Sequence, residues 1–235
     1  MIRKEKFVAG EYYHIYNRTV FKIPEFKDNG NAKKLAQNFL LANSTKSSQA
    51  FDYLRSNKTS TVERALEIAK QGEKLTEILC YSIMPNHYHL LLRESKEGGI
   101  TDFIRRCNTS IAKYINTKTE RAGPLFESNF KSKHIDSNNY LLHLSVYIHL
   151  NPLDFLDGEQ WRENKLKDWK KKKARLLGYK WTSLKHYLME NFNDPIISGE
   201  EIILSQFNNK GDYENFLQEW SVENFNSISG VIIEN

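Results

Sequence analysis

The chain has 235 residues, 40% of them hydrophobic, and carries a formal net charge of +5 with a pI near 9.0. This composition can bury a real core and favours an anionic partner, although basicity alone does not identify one. The two cysteines, Cys80 and Cys107, lie outside any CxxC motif and exclude a disulfide-rich scaffold. No run approaches ~20 apolar residues and the first residues contain no apolar leader, so we expect a soluble, cytoplasmic protein without membrane contact.

The first half of the chain contains three segments with the composition of strands. Residues 11–17 are rich in tyrosine and isoleucine and predict a first strand. A polar, lysine- and alanine-rich block then predicts a helical insertion at about 28–75, without chemistry of its own. The runs 75–85 and 87–93 predict two strands, joined as a hairpin at Pro85-Asn86.

Helices dominate the second half. Apolar residues at helical spacing predict a helix over 101–116, and residues 130–135 predict a further strand. A helix over 138–150 follows, with Ser137 as its N-cap. Beyond residue 155 the sequence becomes strongly basic and predicts several short helices.

The order of these elements indicates an α+β fold. Strand, helices, strand, strand, helix, strand and helix suit a ferredoxin-like antiparallel sheet with helices on one face. We expect residues 1–155 to form the catalytic domain, interrupted by the helical insertion, and 156–235 to form a basic helical C-terminal extension.

His87 and His89 are the first candidates for chemistry. Side chains two apart in a strand point to the same face, so the two imidazoles suit a single divalent ion. Tyr88 and Leu90 would then point the other way and pack. A lone His-x-His pair is more often a pair of surface polar residues, and the motif alone does not decide between these readings.

The predicted helix at 138–150 contributes a second polar group. His143, Tyr147 and Asn151 are spaced by four, which aligns them along one face of an otherwise apolar helix. This stripe could meet solvent, or it could point a tyrosine hydroxyl into a cleft. A divalent ion neutralises a phosphodiester and a tyrosine can attack it covalently. The phenol of a tyrosine has a pKa near ~10, so it must be deprotonated before it can attack, and the sequence does not indicate which group would do this.

Several segments resemble one known family. MPNHYHLLLR (84–93) resembles the HUH signature of the single-tyrosine, IS200-like transposases, and YHIYNR (13–18) resembles their first strand. GPLFESNFKSKHI (123–135) and YIHLNP (147–152) resemble the following loop, strand and nucleophile helix. WTSLKHYL (181–188) resembles a box of the REP-associated tyrosine transposases, with Thr-Ser in place of two serines.

This resemblance implies a DNA-nicking transposase. Tyr147 would be the nucleophile and form a 5′-phosphotyrosyl link at single-stranded or hairpin DNA. His87, His89 and Asn151 would hold Mg²⁺ or Mn²⁺, with His143 as the competitor for the third position. The family contains both monomers and homodimers that exchange this helix, and the sequence does not choose between them.

Basic and aromatic residues around the proposed core are candidates for contacts with DNA. Phosphate contacts come from cations and base stacking from aromatic rings. The nucleic-acid-binding candidates are Arg18, Arg105, Arg121, Lys131 and Lys133. Tyr12, Tyr16, Tyr88 and Phe126 are conceivable stacking groups, although we expect most of them to pack in the core.

Two other functions compete with nicking. The first is a DNA-binding or regulatory protein that descends from such a transposase and no longer cuts. The second is an unrelated metal-dependent hydrolase that uses His87, His89 and His143. It would hydrolyse small phosphoesters and show no salt-sensitive affinity for DNA.

Overall fold

The computed structural model of the chain describes residues 6–56, 59–158, 166 and 168–220. Within these residues no helix is long and apolar enough to cross a membrane.

The centre of the fold is a four-stranded antiparallel sheet. Its strands are β1 (Tyr12–Arg18), β2 (Thr76–Ile83), β3 (His87–Glu94) and β4 (Lys131–Ile135). They lie in the order β2-β3-β1-β4, with helices inserted between β1 and β2 and between β3 and β4. This is the ferredoxin-like arrangement, so the predicted fold class is confirmed.

One face of the sheet is covered by two long helices, α1 (Asn29–Ala42) and α4 (Gly99–Lys118). Leu35 and Phe39 of α1 are fully buried in one core with Leu90 of β3. The predicted insertion at 28–75 is therefore wrong for its first helix, which belongs to the sheet core. The block has a polar composition, but its apolar residues recur at helical spacing and form a stripe toward the sheet.

The remainder of that block forms a small helical addition. It consists of α2 (Ser47–Ser56) and α3 (Val62–Lys70), which pack together around Ala50, Ala65 and Ala69. Thr61 caps α3, accepting a hydrogen bond from the Arg64 amide.

The opposite face of the sheet is covered by α5 (Asn138–Leu150), which begins at the predicted cap, Ser137. Leu144 and Ile148 of α5 share a core with Leu91 of β3. The expectation of helices on one face thus holds for α1 and α4 but not for α5. Because α5 is apolar around most of its circumference, it can be buried between the sheet and the helices that follow it.

The C-terminal part is helical, as predicted, and packs against α5 and the sheet. Its helices are α6 (Leu153–Leu156), α7 (Trp169–Gly178), α8 (Leu184–Leu188), α9 (Glu201–Leu204) and α10 (Lys210–Glu219). Tyr187 and Tyr213 are fully buried in the same core as α5.

The segment before α8 covers the outer edge of β2. The Ile83 amide donates to the Trp181 carbonyl at 2.8 Å, and the Ser183 amide donates to the Tyr81 carbonyl at 3.1 Å. Thr182 forms an isolated antiparallel bridge with Ser82.

Candidate functional site

The register of the sheet brings the predicted histidines to the face that α5 covers. Arg18 of β1 lies opposite His87 of β3, and Tyr16 lies opposite both His89 and Lys131 of β4. Opposed residues of an antiparallel pair point to the same face, so these five side chains form one group. Tyr88 and Leu90 point to the other face and are fully buried there, as the alternation predicted.

The two histidine rings are adjacent and mutually perpendicular. Their centroids are 4.9 Å apart with an interplanar angle of 88°. Nδ1 of His87 donates to Oδ1 of Asn86 at 2.6 Å, and Nδ1 of His89 lies 2.9 Å from Nε2 of His14. With both Nδ1 atoms engaged, a metal ion would bind through Nε2, which is buried in both residues.

His14 is a site residue that the sequence analysis missed. It is completely buried on β1, and its ring stacks on His89 at 5.1 Å with an interplanar angle of 20°. Burial lowers the pKa of His14 to about 3, with a smaller contribution from nearby His87. His14 is therefore a neutral hydrogen-bond partner. Alternation along β1 placed it on the same face as Tyr16, but only the register with β3 brings it to His89.

Helix α5 places Tyr147 against the histidine pair. Its ring meets that of His89 edge-on, with centroids 5.6 Å apart and an interplanar angle of 81°. The tyrosine side chain is only 1% exposed. The predicted nucleophile and a predicted ligand are thus brought into contact within one chain.

Asn151 and His143, one helical turn to either side of Tyr147, have different surroundings. Asn151 is completely buried, and no described residue forms a hydrogen bond with its amide oxygen or nitrogen. His143 packs its ring against Phe216 of α10, with centroids 5.3 Å apart. Nδ1 of His143 also lacks a hydrogen-bond partner, so the choice of Asn151 over His143 as third ligand rests on the complete burial of Asn151 and stays a prediction.

The donor set suits a divalent cation. Imidazole nitrogens favour transition ions and an amide oxygen suits Mg²⁺ or Mn²⁺, so His87, His89 and Asn151 would hold Mn²⁺ more readily than Mg²⁺. Three protein ligands would leave positions for phosphate oxygens. No group of three His, Cys, Asp or Glu that could hold a metal occurs among the described residues. A set completed by the amide oxygen of Asn151 is compatible with this finding.

A cavity of about 90 Å³ opens beside the histidines. Its lining residues combine cationic, acidic and aromatic groups: Tyr16, Asn17, Arg18, His87, His89, Glu127, Ser128 and Lys131. Glu127 was not singled out from the sequence. Tyr16 lines this cavity, whereas Tyr147 is not among its lining residues. Burial raises the pKa of Tyr16 to about 12, partly offset by the charge of Arg18, so its phenol stays protonated.

The structure separates the five predicted DNA-binding residues. Arg18 and Lys131 line the cavity, and Lys133 lies two residues from Lys131 on the same face of β4. Arg105 forms an ion pair with Asp102 on α4, behind the opposite face of the sheet, and Arg121 pairs with Glu25. A contact of any of them with DNA stays a prediction.

Residues 48–151, which contain β2 to β4 and α5, match the family model described as transposase IS200 like. This segment is similar to the IS200-like transposases. The match is 104 of the 235 residues and includes the histidine pair, Tyr147 and Asn151. The resemblance inferred from the sequence motifs is confirmed.

The chain is also similar to two solved structures. A REP-associated tyrosine transposase bound to a REP hairpin aligns with a TM-score of 0.49 and 9% identity, covering 85% of this chain and 92% of that one. A putative transposase from Deinococcus radiodurans R1 aligns with a TM-score of 0.33 and 15% identity, covering 65% and 98%. No curated protein matches the chain.

Proposed function

We propose that this protein nicks single-stranded DNA by transesterification, with Tyr147 as the nucleophile and a divalent ion held by His87 and His89. The observation that carries the proposal is the packing of Tyr147 directly against His89, beside a cationic cavity. The similarity of residues 48–151 to the IS200-like transposases supports DNA as the substrate. The hairpin bound in the REP-associated structure suggests hairpin DNA as the form to test first.

Three residues of the site would bind the metal ion, and His14 would orient one of them. Nε2 of His87, Nε2 of His89 and the amide oxygen of Asn151 would hold Mg²⁺ or Mn²⁺. When bound, the ion would neutralise the scissile phosphate and stabilise the charge that develops on its oxygens. His14 would accept a hydrogen bond from Nδ1 of His89, which keeps the lone pair of Nε2 directed at the ion.

The covalent step belongs to Tyr147. Its phenolic oxygen would attack the phosphorus and displace the 3′-oxygen of the preceding nucleotide. The new bond is a 5′-phosphotyrosine, and the phenolic proton passes through solvent to the departing 3′-hydroxyl. Because the tyrosine is buried at rest, we expect the side chain or its helix to move toward the cavity when DNA binds.

Covalent capture tests this function. Single-stranded and hairpin DNA labelled at the 3′ end are incubated with protein and Mn²⁺, and an adduct is sought by denaturing electrophoresis. We expect an adduct that is absent with EDTA, absent in Tyr147→Phe and absent in His87→Ala. Tyr140→Phe is the matched control, because it removes a buried hydroxyl from the same helix and should retain the adduct.

The competing tyrosine can be tested in the same experiment. Tyr16 lines the cavity, with its ring centroid 6.1 Å from that of His89. An adduct that survives in Tyr147→Phe and disappears in Tyr16→Phe would refute the proposed nucleophile.

One observation favours a second candidate function. The low exposure of Tyr147 also suits a DNA-binding protein that does not cut, in which this tyrosine is simply part of the core. That function predicts salt-sensitive binding of hairpin DNA, with no adduct under any divalent metal and equal affinity in Tyr147→Phe.

A further inference from the structure

Phe21 is a large apolar side chain placed almost wholly in solvent. It is 92% exposed, more than any other large hydrophobic side chain among the described residues. Its backbone is left-handed, with φ of 55°, and so is that of Lys22, with φ of 56°. Residues that carry a Cβ rarely adopt this conformation, and two in succession are rarer still. Such strain persists only where the surrounding structure imposes it.

Hydrogen bonds on both sides impose this conformation. The Thr19 hydroxyl donates to the Ile23 carbonyl at 2.6 Å, which ties the two ends of the loop together. The Thr19 amide donates to the Asn86 carbonyl at 2.9 Å, and Nδ2 of Asn86 donates to the Lys22 carbonyl at 3.3 Å. The ring of Phe21 is therefore held outward by a built loop.

The loop lies beside the proposed catalytic cavity. Phe21 lines a shallow groove with Val20, Lys22 and Glu127, and Glu127 also lines the cavity of His87 and His89. Asn86 provides a second connection, because its amide contacts both Lys22 and His87. A nucleotide strand with one phosphate at the histidines would extend along this groove.

We propose that Phe21 is a stacking platform for an unpaired base of the DNA strand bound at the His87–His89 cavity. This inference rests on the proposed function only in placing single-stranded DNA at that cavity. An aromatic ring stacks on any base, while Lys22 and Arg18 supply charge for the phosphates nearby. A single exposed ring is far too small for a stable protein interface, which buries on the order of 1,200 Å² or more.

The stacking candidates inferred from the sequence do not compete for this role. Tyr88 and Phe126 are buried in the core. Tyr12 packs against the α5 core, and Tyr16 lies beneath Lys131, whose Nζ is 5.9 Å from the ring centroid. Of these aromatic rings, that of Phe21 is the most exposed.

The test measures stacking without cleavage. Full-length Tyr147→Phe protein is titrated into single-stranded oligonucleotides that carry 2-aminopurine at successive positions around the nicking site, without added metal. We expect quenching at one position. Adding Phe21→Ala should abolish this quenching and weaken binding about tenfold, whereas Phe21→Trp should retain both. Phe21→Leu should lose the quenching, since it is apolar but lacks a π face.

Phe192→Ala serves as the matched control. Phe192 is another exposed phenylalanine, 38% exposed, in the C-terminal part and beside Lys185. We expect it to leave affinity and quenching unchanged. Equal affinity and quenching in Phe21→Ala would overturn the inference, as would a parent protein that does not bind these oligonucleotides. If Phe21→Ala loses binding and quenching but the parent chain with Tyr147 forms no adduct with any metal, the nicking function is refuted and the stacking site is supported.

Discussion

His149 of α5 should make the stability of this protein sensitive to acid. The ring is completely buried, and it connects two parts of the C-terminal region. Its Nδ1 lies 2.8 Å from the Tyr213 hydroxyl, and its Nε2 lies 2.8 Å from the Ser183 hydroxyl. Burial, aided by the charge of His186, lowers the pKa of His149 from 6.5 to about 3.

The sign and size of the effect follow from this pKa. Below pH 6.5 the unfolded chain binds a proton at His149 that the folded chain does not accept until about pH 3. The stability that this neutral ring contributes is therefore complete above pH 6.5 and is lost as the pH falls. Between pH 7.0 and 4.5, about two pH units lie below the unfolded pKa, and at about 1.4 kcal/mol each they lower the free energy of unfolding by about 3 kcal/mol.

The assay compares the parent protein with His149→Gln in urea at pH 7.0 and pH 4.5. Glutamine keeps a polar side chain but does not titrate, and every other titrating group is shared by the two proteins. We expect the variant to be about 1–3 kcal/mol less stable at pH 7.0, because one buried partner loses its hydrogen bond. On acidification the parent should lose about 3 kcal/mol more than the variant. Equal losses in the two proteins would refute this reasoning.

Substitutions at three further positions probe the site and the core. His14→Leu should weaken Mn²⁺ binding about 10- to 100-fold, and His14→Gln should weaken it less, because glutamine can still accept a hydrogen bond from Nδ1 of His89. Electron paramagnetic resonance of Mn²⁺ measures the affinity. Unchanged affinity in His14→Leu would contradict the role of His14 as the hydrogen-bond partner of His89. Gly99→Ala should lower the free energy of unfolding by about 1–3 kcal/mol in urea, because the new Cβ would stand 2.2 Å from the Leu75 carbonyl oxygen; a neutral effect would show that this backbone can give way. Phe39→Ala should cost about 3–5 kcal/mol by the same measurement, since the ring is fully buried; a loss below 1 kcal/mol would show that the core collapses around the gap.

The parts of the fold that the sequence predicted are those set by local patterns. Alternation along a strand is a property of neighbouring residues, so the common face of His87 and His89 was predictable before any partner strand was known. The cap at Ser137 and the bounds of α5 followed from equally local signals. The family-like motifs supported the order of the strands and helices, because the motifs occur along the chain in the same order as these elements.

The parts that the sequence missed depend on contacts between distant segments. Helix α1 has a polar composition, and only its packing on the sheet distinguishes it from the insertion that follows. His14 needs the register of β1 against β3 to reach His89, and α5 needs the whole topology to reach the opposite face. Phe21 was missed because its exposure and left-handed backbone are imposed by Thr19 and Asn86.

Residues 181–183, which cover the outer edge of β2, help to prevent this sheet from pairing with the sheet of another copy. An unpaired strand edge is a template on which another chain can add a strand, and it invites aggregation. Here residues 181–183 occupy the edge of β2 with their own backbone. The other edge, β4, is five residues long and carries Lys131 and Lys133, both exposed. One end of the sheet is thus blocked and the other is short and charged, so that copies of this chain can approach closely without joining their sheets.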